Sequence, residues 1–93
     1  MFTVLIAALF VAPAPANAEA SCSSSDYDRS TGLATANCRG PGQMKFIVRC
    51  LTQNGGTIWE DESAWYNVPS GATMVHRFST CSGPKSNIVI GVR

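Results

Sequence analysis

The chain has 93 residues, four cysteines, seven basic and six acidic side chains, and a formal net charge of +1 with its one histidine neutral. Nucleic-acid-binding domains usually carry a basic stripe, whereas here the basic residues are scattered from Arg29 to Arg93. No basic amphipathic helix of the kind that binds membrane surfaces is evident either. We therefore expect neither a nucleic-acid partner nor a membrane partner for the mature chain.

The first residues have the order of a secretory signal peptide. An uncharged apolar run over residues 2–12 is followed by two prolines and by Ala16-Asn17-Ala18, a small-x-small cleavage pattern. A membrane-spanning helix needs roughly 20 apolar residues, which is about twice the length of this run. We expect residues 1–18 to be cleaved and residues 19–93 to be secreted, or periplasmic in a host with an outer membrane.

The mature chain is expected to begin with an arm and to continue as one small β domain. Residues 19–32 are rich in Ser, Asp and Thr and are predicted to be a flexible arm, and the β domain spans residues 33–93. The clearest strand is residues 43–52, where apolar side chains recur at a period of two. Its inward face is Met44, Phe46, Val48 and Cys50, and Lys45 and Arg49 lie on the other face.

Shorter strands and turns alternate through the rest of the chain. The predicted strands are residues 33–38, 57–59, 64–68, 72–80 and 88–92. Asn54-Gly55 indicates a tight hairpin turn, a bulge or loop is expected at residues 60–63, and residues 82–87 are expected to be a loop. The pattern predicts an all-β fold, a small antiparallel β-sandwich or barrel of five to six strands.

Four cysteines remain after signal cleavage, namely Cys22, Cys38, Cys50 and Cys81. An even number in a short exported chain indicates a disulfide framework. Three pairings are possible, and sequential pairing is favoured because it suits consecutive hairpins. The cysteines are 16, 12 and 31 positions apart, unlike the close pairs of structural zinc sites. No metal and no other cofactor is expected.

Aromatic and acidic side chains cluster in the middle of the mature chain. The candidate binding residues are Trp59, Glu60, Glu62, Trp65 and Tyr66. The two tryptophans would share a face if the strand were unbroken, and exposed coplanar tryptophans beside carboxylates can hold sugar rings. One of the two is nevertheless expected to fill the core, which is the commoner use of so large a side chain.

No catalytic residue is assigned, and the chain is not expected to be an enzyme. Glu60 and Glu62 are two positions apart on one strand, so they cannot easily straddle a glycosidic bond as paired hydrolase carboxylates do. His76 shares the face of Met74 and Phe78 and is expected to be a partly buried structural residue.

Three functions fit these observations. The first is an extracellular interaction or inhibitor-type domain that binds a protein through residues 60–66 or 83–87, and it is ranked ahead because it demands least of the sequence. The second is a carbohydrate or cell-wall binding module that holds a polysaccharide on its tryptophans. The third is an antimicrobial or toxin-like protein, although near-neutral charge speaks against membrane lysis.

Overall fold

The computed structural model describes residues 19–93, which form seven strands and no helix. The strands are β1 (Ser21–Tyr27), β2 (Leu33–Arg39), β3 (Gln43–Leu51), β4 (Thr57–Glu62), β5 (Tyr66–Asn67), β6 (Ala72–Arg77) and β7 (Lys85–Val92). The predicted signal peptide, residues 1–18, lies outside the described residues. The all-β fold class is confirmed for the part of the chain that the structure describes.

The strands form two antiparallel sheets. One sheet has three strands in the order β1-β2-β6. The other has β3 at its centre, with β7 paired along one side and with β4 and β5 sharing the other side. Strand β1 of the first sheet approaches β7 of the second. The two sheets therefore meet along one seam.

One hydrophobic core receives side chains from both sheets. Strand β3 supplies its largest fully buried members, Phe46, Met44, Val48 and Cys50, as the period of two predicted. Burying a side chain of this size contributes roughly 1.5–3 kcal/mol. The other buried apolar residues are Ala20, Tyr27, Ala34, Ala36, Cys38, Val68, Phe78 and Cys81.

Both disulfides have the sequential pairing that the sequence favoured. Cys22 and Cys38 lie directly opposite each other on β1 and β2. Cys50 of β3 is joined to Cys81 in the connection between β6 and β7. Each bridge closes a loop whose lost freedom in the unfolded chain stabilises the fold by roughly 3–4 kcal/mol. Two disulfides in so small a domain indicate an oxidising, extracellular environment.

Two segments predicted as loops contain strands. The expected arm at residues 19–32 contains β1, which pairs with β2 from Ser21 opposite Arg39 to Tyr27 opposite Ala34. Most side chains of β1 are exposed, so the apolar alternation that marks a strand is missing from its sequence. Likewise, β7 begins at Lys85 rather than after the predicted loop at residues 82–87.

Candidate functional site

The interruption between β4 and β5 positions the candidate binding residues. Strand β4 continues to Glu62, so the prediction of a bulge or loop at residues 60–63 was wrong for residues 60–62. The break occurs at Ser63, whose N–H donates to the Phe46 carbonyl at 2.9 Å. The Ser63 hydroxyl accepts the Phe46 N–H, also at 2.9 Å. One serine thus pairs both backbone groups of Phe46, and the chain then leaves the ladder.

Trp65, which follows this break, lies over the outer face of the four-stranded sheet. The guanidinium carbon of Arg93 is 4.0 Å from its ring centroid, and the Lys45 ammonium nitrogen is 5.0 Å away. Arg93 is itself held, because its Nε donates to Gln43 Oε1 at 2.8 Å. Gln43 Nε2 in turn donates to Asn67 Oδ1 at 2.9 Å. These contacts hold the side chains around the indole in place.

Glu60 and Glu62 lie on the same outer face, each beside a cation of β3. Glu60 Oε1 accepts a hydrogen bond from Arg49 Nε at 2.7 Å, and Glu62 Oε1 forms an ion pair with Lys45. Exposed pairs of this kind contribute at most about 1 kcal/mol to stability. Their main effect here is geometric, because the Glu62 contact holds Lys45 near Trp65. Both carboxylates are therefore already engaged by the protein.

Trp59 and Tyr66 lie on the inward face. Trp59 is opposite Cys50 on β3 and packs edge-on against Tyr27, with ring centroids 6.4 Å apart. The Tyr66 hydroxyl is hydrogen-bonded to Nδ1 of His76 at 2.5 Å. Because β5 and β6 belong to different sheets, this hydrogen bond links the two sheets across the interior.

The structure therefore divides the five candidate residues between two faces. Trp59 and Trp65 were predicted to share a face only if the strand were unbroken, and the structure breaks the strand between them at Ser63. Ile47 of β3 pairs with Glu62 of β4, so an unbroken strand would place residue 66 opposite Gln43. Gln43 instead pairs with Asn67 of β5, so the registers of β4 and β5 differ by one residue. One extra residue in a strand reverses the face to which every following side chain points. The break at Ser63 thus turns Trp65 outward and Tyr66 inward.

His76 lies among aromatic rings rather than beside a nucleophile. Its ring centroid is 4.6 Å from that of Phe78, 5.9 Å from Tyr66 and 6.4 Å from Phe46. Elsewhere in residues 19–93, no three His, Cys, Asp or Glu side chains come together in a way that could hold a metal ion. His76 therefore forms an aromatic contact between the two sheets.

A second polar cluster lies at the turn that joins β1 to β2. Asp28 Oδ1 accepts hydrogen bonds from the Ser30 N–H at 2.9 Å and from its hydroxyl at 2.6 Å. These bonds stabilise the carboxylate and lower the pKa of Asp28. Burial, and then the charge of Asp28, raise the pKa of Tyr27. Arg29 Nη1 donates to the Gly83 carbonyl at 2.6 Å, so this cluster holds the turn against the β6–β7 connection.

The sequence did not identify the roles of three residues that shape the outer face. These are the strand break at Ser63, the contact of Lys45 with Trp65, and the contact of Arg93 with Trp65. The outward position of Lys45 follows from the period of β3, so the pair with Glu62 could have been found by aligning the two strands. Arg93 lies far from Trp65 along the chain, and nothing local in the sequence signals their contact. A buried serine at a strand break has no sequence signature either.

The chain matches no protein-family model, no curated protein and no solved structure. In residues 19–93 there is also no helix of the length and apolar character needed to cross a membrane.

Proposed function

We propose that residues 19–93 act outside the cell as a small disulfide-stabilised β domain that binds another protein. The binding surface is the outer face of the four-stranded sheet around Trp65, called here the Trp65 face. It is formed by Lys45, Ile47, Glu62, Trp65, Val89 and Arg93. We also infer that the two sheets pack as an open sandwich, because both supply inward side chains to one core.

The observation that carries the proposal is the ordered position of Trp65 on an exposed sheet. Arg93 and Lys45 lie against the indole, and each is held by a further side chain. A side chain ordered before binding avoids a loss of roughly 0.5–1.5 kcal/mol when a partner docks. Tryptophan and arginine are also the residue types that most often dominate the free energy of protein interfaces.

Apolar side chains extend the surface beside Trp65. Ile47 of β3 is directly opposite Val89 of β7 on this face, and Val89 is 52% exposed. The ion pair of Lys45 with Glu62 borders this apolar strip. An apolar centre with charged residues at its rim is the usual anatomy of a protein interface.

The same geometry favours a protein over a polysaccharide. A sugar-binding platform built on two tryptophans would need both rings outward, and Trp59 is packed against the core. The guanidinium of Arg93 lies over the ring of Trp65, and the neighbouring carboxylates are paired with cations. A sugar ring would have to displace these contacts.

The test compares oxidised residues 19–93 with the variants Trp65→Ala and Val89→Lys. Each is immobilised and exposed to the secreted proteins and to the wall polysaccharides of the producing organism. We expect a stoichiometric protein partner whose affinity falls at least about tenfold in both variants, which corresponds to about 1.4 kcal/mol. The control Val75→Lys introduces the same charge on the other sheet, where Val75 is 50% exposed, and should bind as the wild type does.

Two outcomes would contradict the proposal. Retention of polysaccharide without any protein partner would favour the carbohydrate-binding function instead. A protein partner whose affinity is unchanged by both Trp65→Ala and Val89→Lys would place the binding surface elsewhere on the domain.

A further inference from the structure

Most outer strand edges of the two sheets carry a feature that discourages the addition of another strand. Strand β4 has acidic residues at Glu60, Asp61 and Glu62 and an irregular register between Thr57 and Trp59. Strand β1 has an irregular register with Ser24 at a φ of 54°, and β7 lies against β1. Charged side chains, bulges and covering strands are the usual means of blocking edge-to-edge pairing.

Strand β6 carries one charged residue, Arg77 at its end, but it has no bulge and no covering strand among the described residues. It pairs with β2 over all six residues without a register shift, from Ala72 opposite Cys38 to Arg77 opposite Leu33. It contains no acidic residue and no proline. Among the described strands, none pairs with its other side, and Val75 near its middle is 50% exposed.

The backbone groups on the open side of β6 can be assigned from the ladder. The Phe78 N–H donates to the Gly32 carbonyl at 2.8 Å, directly after the strand ends. Hydrogen-bonded and non-hydrogen-bonded pairs alternate along an antiparallel ladder. The N–H and C=O groups of Thr73, Val75 and Arg77 therefore point away from β2. Within residues 19–93 these groups have no hydrogen-bond partner.

We propose that β6 pairs in antiparallel fashion with β6 of a second copy of this chain. The two-fold register that uses all the outward groups sets Val75 opposite its own copy and Thr73 opposite Arg77. The exposed valines then cover each other, and no like charges are opposed. The two three-stranded sheets become one continuous sheet across the dimer.

A second copy fits this edge better through β6 than through any other strand. If β6 of one molecule paired with β4 of a second molecule, the pairing would have to cross the irregular register of β4. The β6 edge of the second molecule would also stay open, so that further molecules could add and the association would not close. The β6 pair closes on itself. The contact is small beside the roughly 1,200–2,000 Å² of a stable interface, so we expect a weak dimer.

The test measures self-association of the oxidised domain from micromolar to millimolar concentration, by analytical ultracentrifugation and by amide hydrogen exchange. We expect dimers at the upper end of this range. The amides of Thr73, Val75 and Arg77 should become protected as the dimer forms, whereas the β6 amides that face β2 should be protected throughout. A monomer at millimolar concentration, or a dimer in which those three amides still exchange freely, would overturn the proposal.

Two variants separate this edge from the Trp65 face. Val75→Pro removes an outward N–H but no hydrogen bond to β2, because the pair of Val75 with Thr35 is a non-hydrogen-bonded one, and proline is tolerated on edge strands. Val75→Lys serves if the proline variant does not fold. Both should remain monomeric where the wild type dimerises.

The control for these variants is Val89→Lys, which adds the same charge to the other sheet. It should dimerise as the wild type does, although it is expected to lose the protein partner proposed above. Loss of dimerisation in Val89→Lys together with the β6 variants would contradict the assignment to β6. The two proposals therefore fail independently.

Discussion

The variant Ser63→Ala removes one buried hydroxyl from the break between β4 and β5. Ser63 is 7% exposed, and its Oγ accepts the Phe46 N–H at 2.9 Å and donates to the Ala64 carbonyl at 2.8 Å. Without the hydroxyl, the Phe46 N–H is left inside the sheet without a partner, which costs about 1–3 kcal/mol. For a domain of this size, a loss of about 2 kcal/mol lowers Tm by roughly 8–16 °C.

The assay is reversible unfolding of the oxidised domain by heat and by urea, followed by circular dichroism. Ser82→Ala is the matched control, because Ser82 is exposed and no hydrogen bond to its side chain is found in residues 19–93. A loss below about 0.5 kcal/mol for Ser63→Ala, the range of ordinary surface substitutions, would show that the Phe46 N–H does not depend on the Ser63 hydroxyl. The fluorescence of Trp65, recorded in a Trp59→Phe background, should also differ between Ser63→Ala and Ser63, because the segment that follows the break is held less tightly without the hydroxyl.

Two further predictions concern the disulfides and the β1–β2 turn. Cys22 is only half-buried, whereas Cys50 and Cys81 are both buried, so a mild reductant should open the Cys22–Cys38 bridge before the Cys50–Cys81 bridge. Alkylation and peptide mass mapping would show the order, and the reverse order would contradict the argument. Because the pKa of Asp28 is lowered in the folded state, its contribution to stability is present above the unfolded pKa of about 3.9 and is lost as pH falls through the folded value. The stability difference between wild type and Asp28→Asn should therefore shrink in acid, and a pH-independent difference would contradict this.

Sequence reasoning succeeded where a segment is buried on one face. Strand β3 was predicted almost to its ends, because each of its inward side chains is apolar and the core requires that alternation. The pairing of the cysteines also followed from their order in the chain. These features depend on local patterns, which a single sequence displays directly.

The candidate site could be predicted only in part. Trp59 was correctly placed on the return strand next to β3, but Glu60 and Glu62 were expected in a bulge or loop. The single-residue offset after Ser63 decides which later side chains face outward. That offset depends on a hydrogen bond to Phe46, a residue distant in sequence. Strand β1 was missed for a related reason, since an exposed edge strand is defined by its backbone partners and not by its side chains.

The Cys50–Cys81 bridge also determines what happens when a protease cuts the chain. The bridged cysteines are 31 positions apart and enclose β4, β5 and β6. The connections at residues 52–56 and 69–71 within this segment are exposed, as preferred cleavage sites are. A cut in either one leaves both fragments covalently joined and paired in their sheets. A nicked molecule would therefore persist as a two-chain protein, one water heavier than before and separable only by reduction.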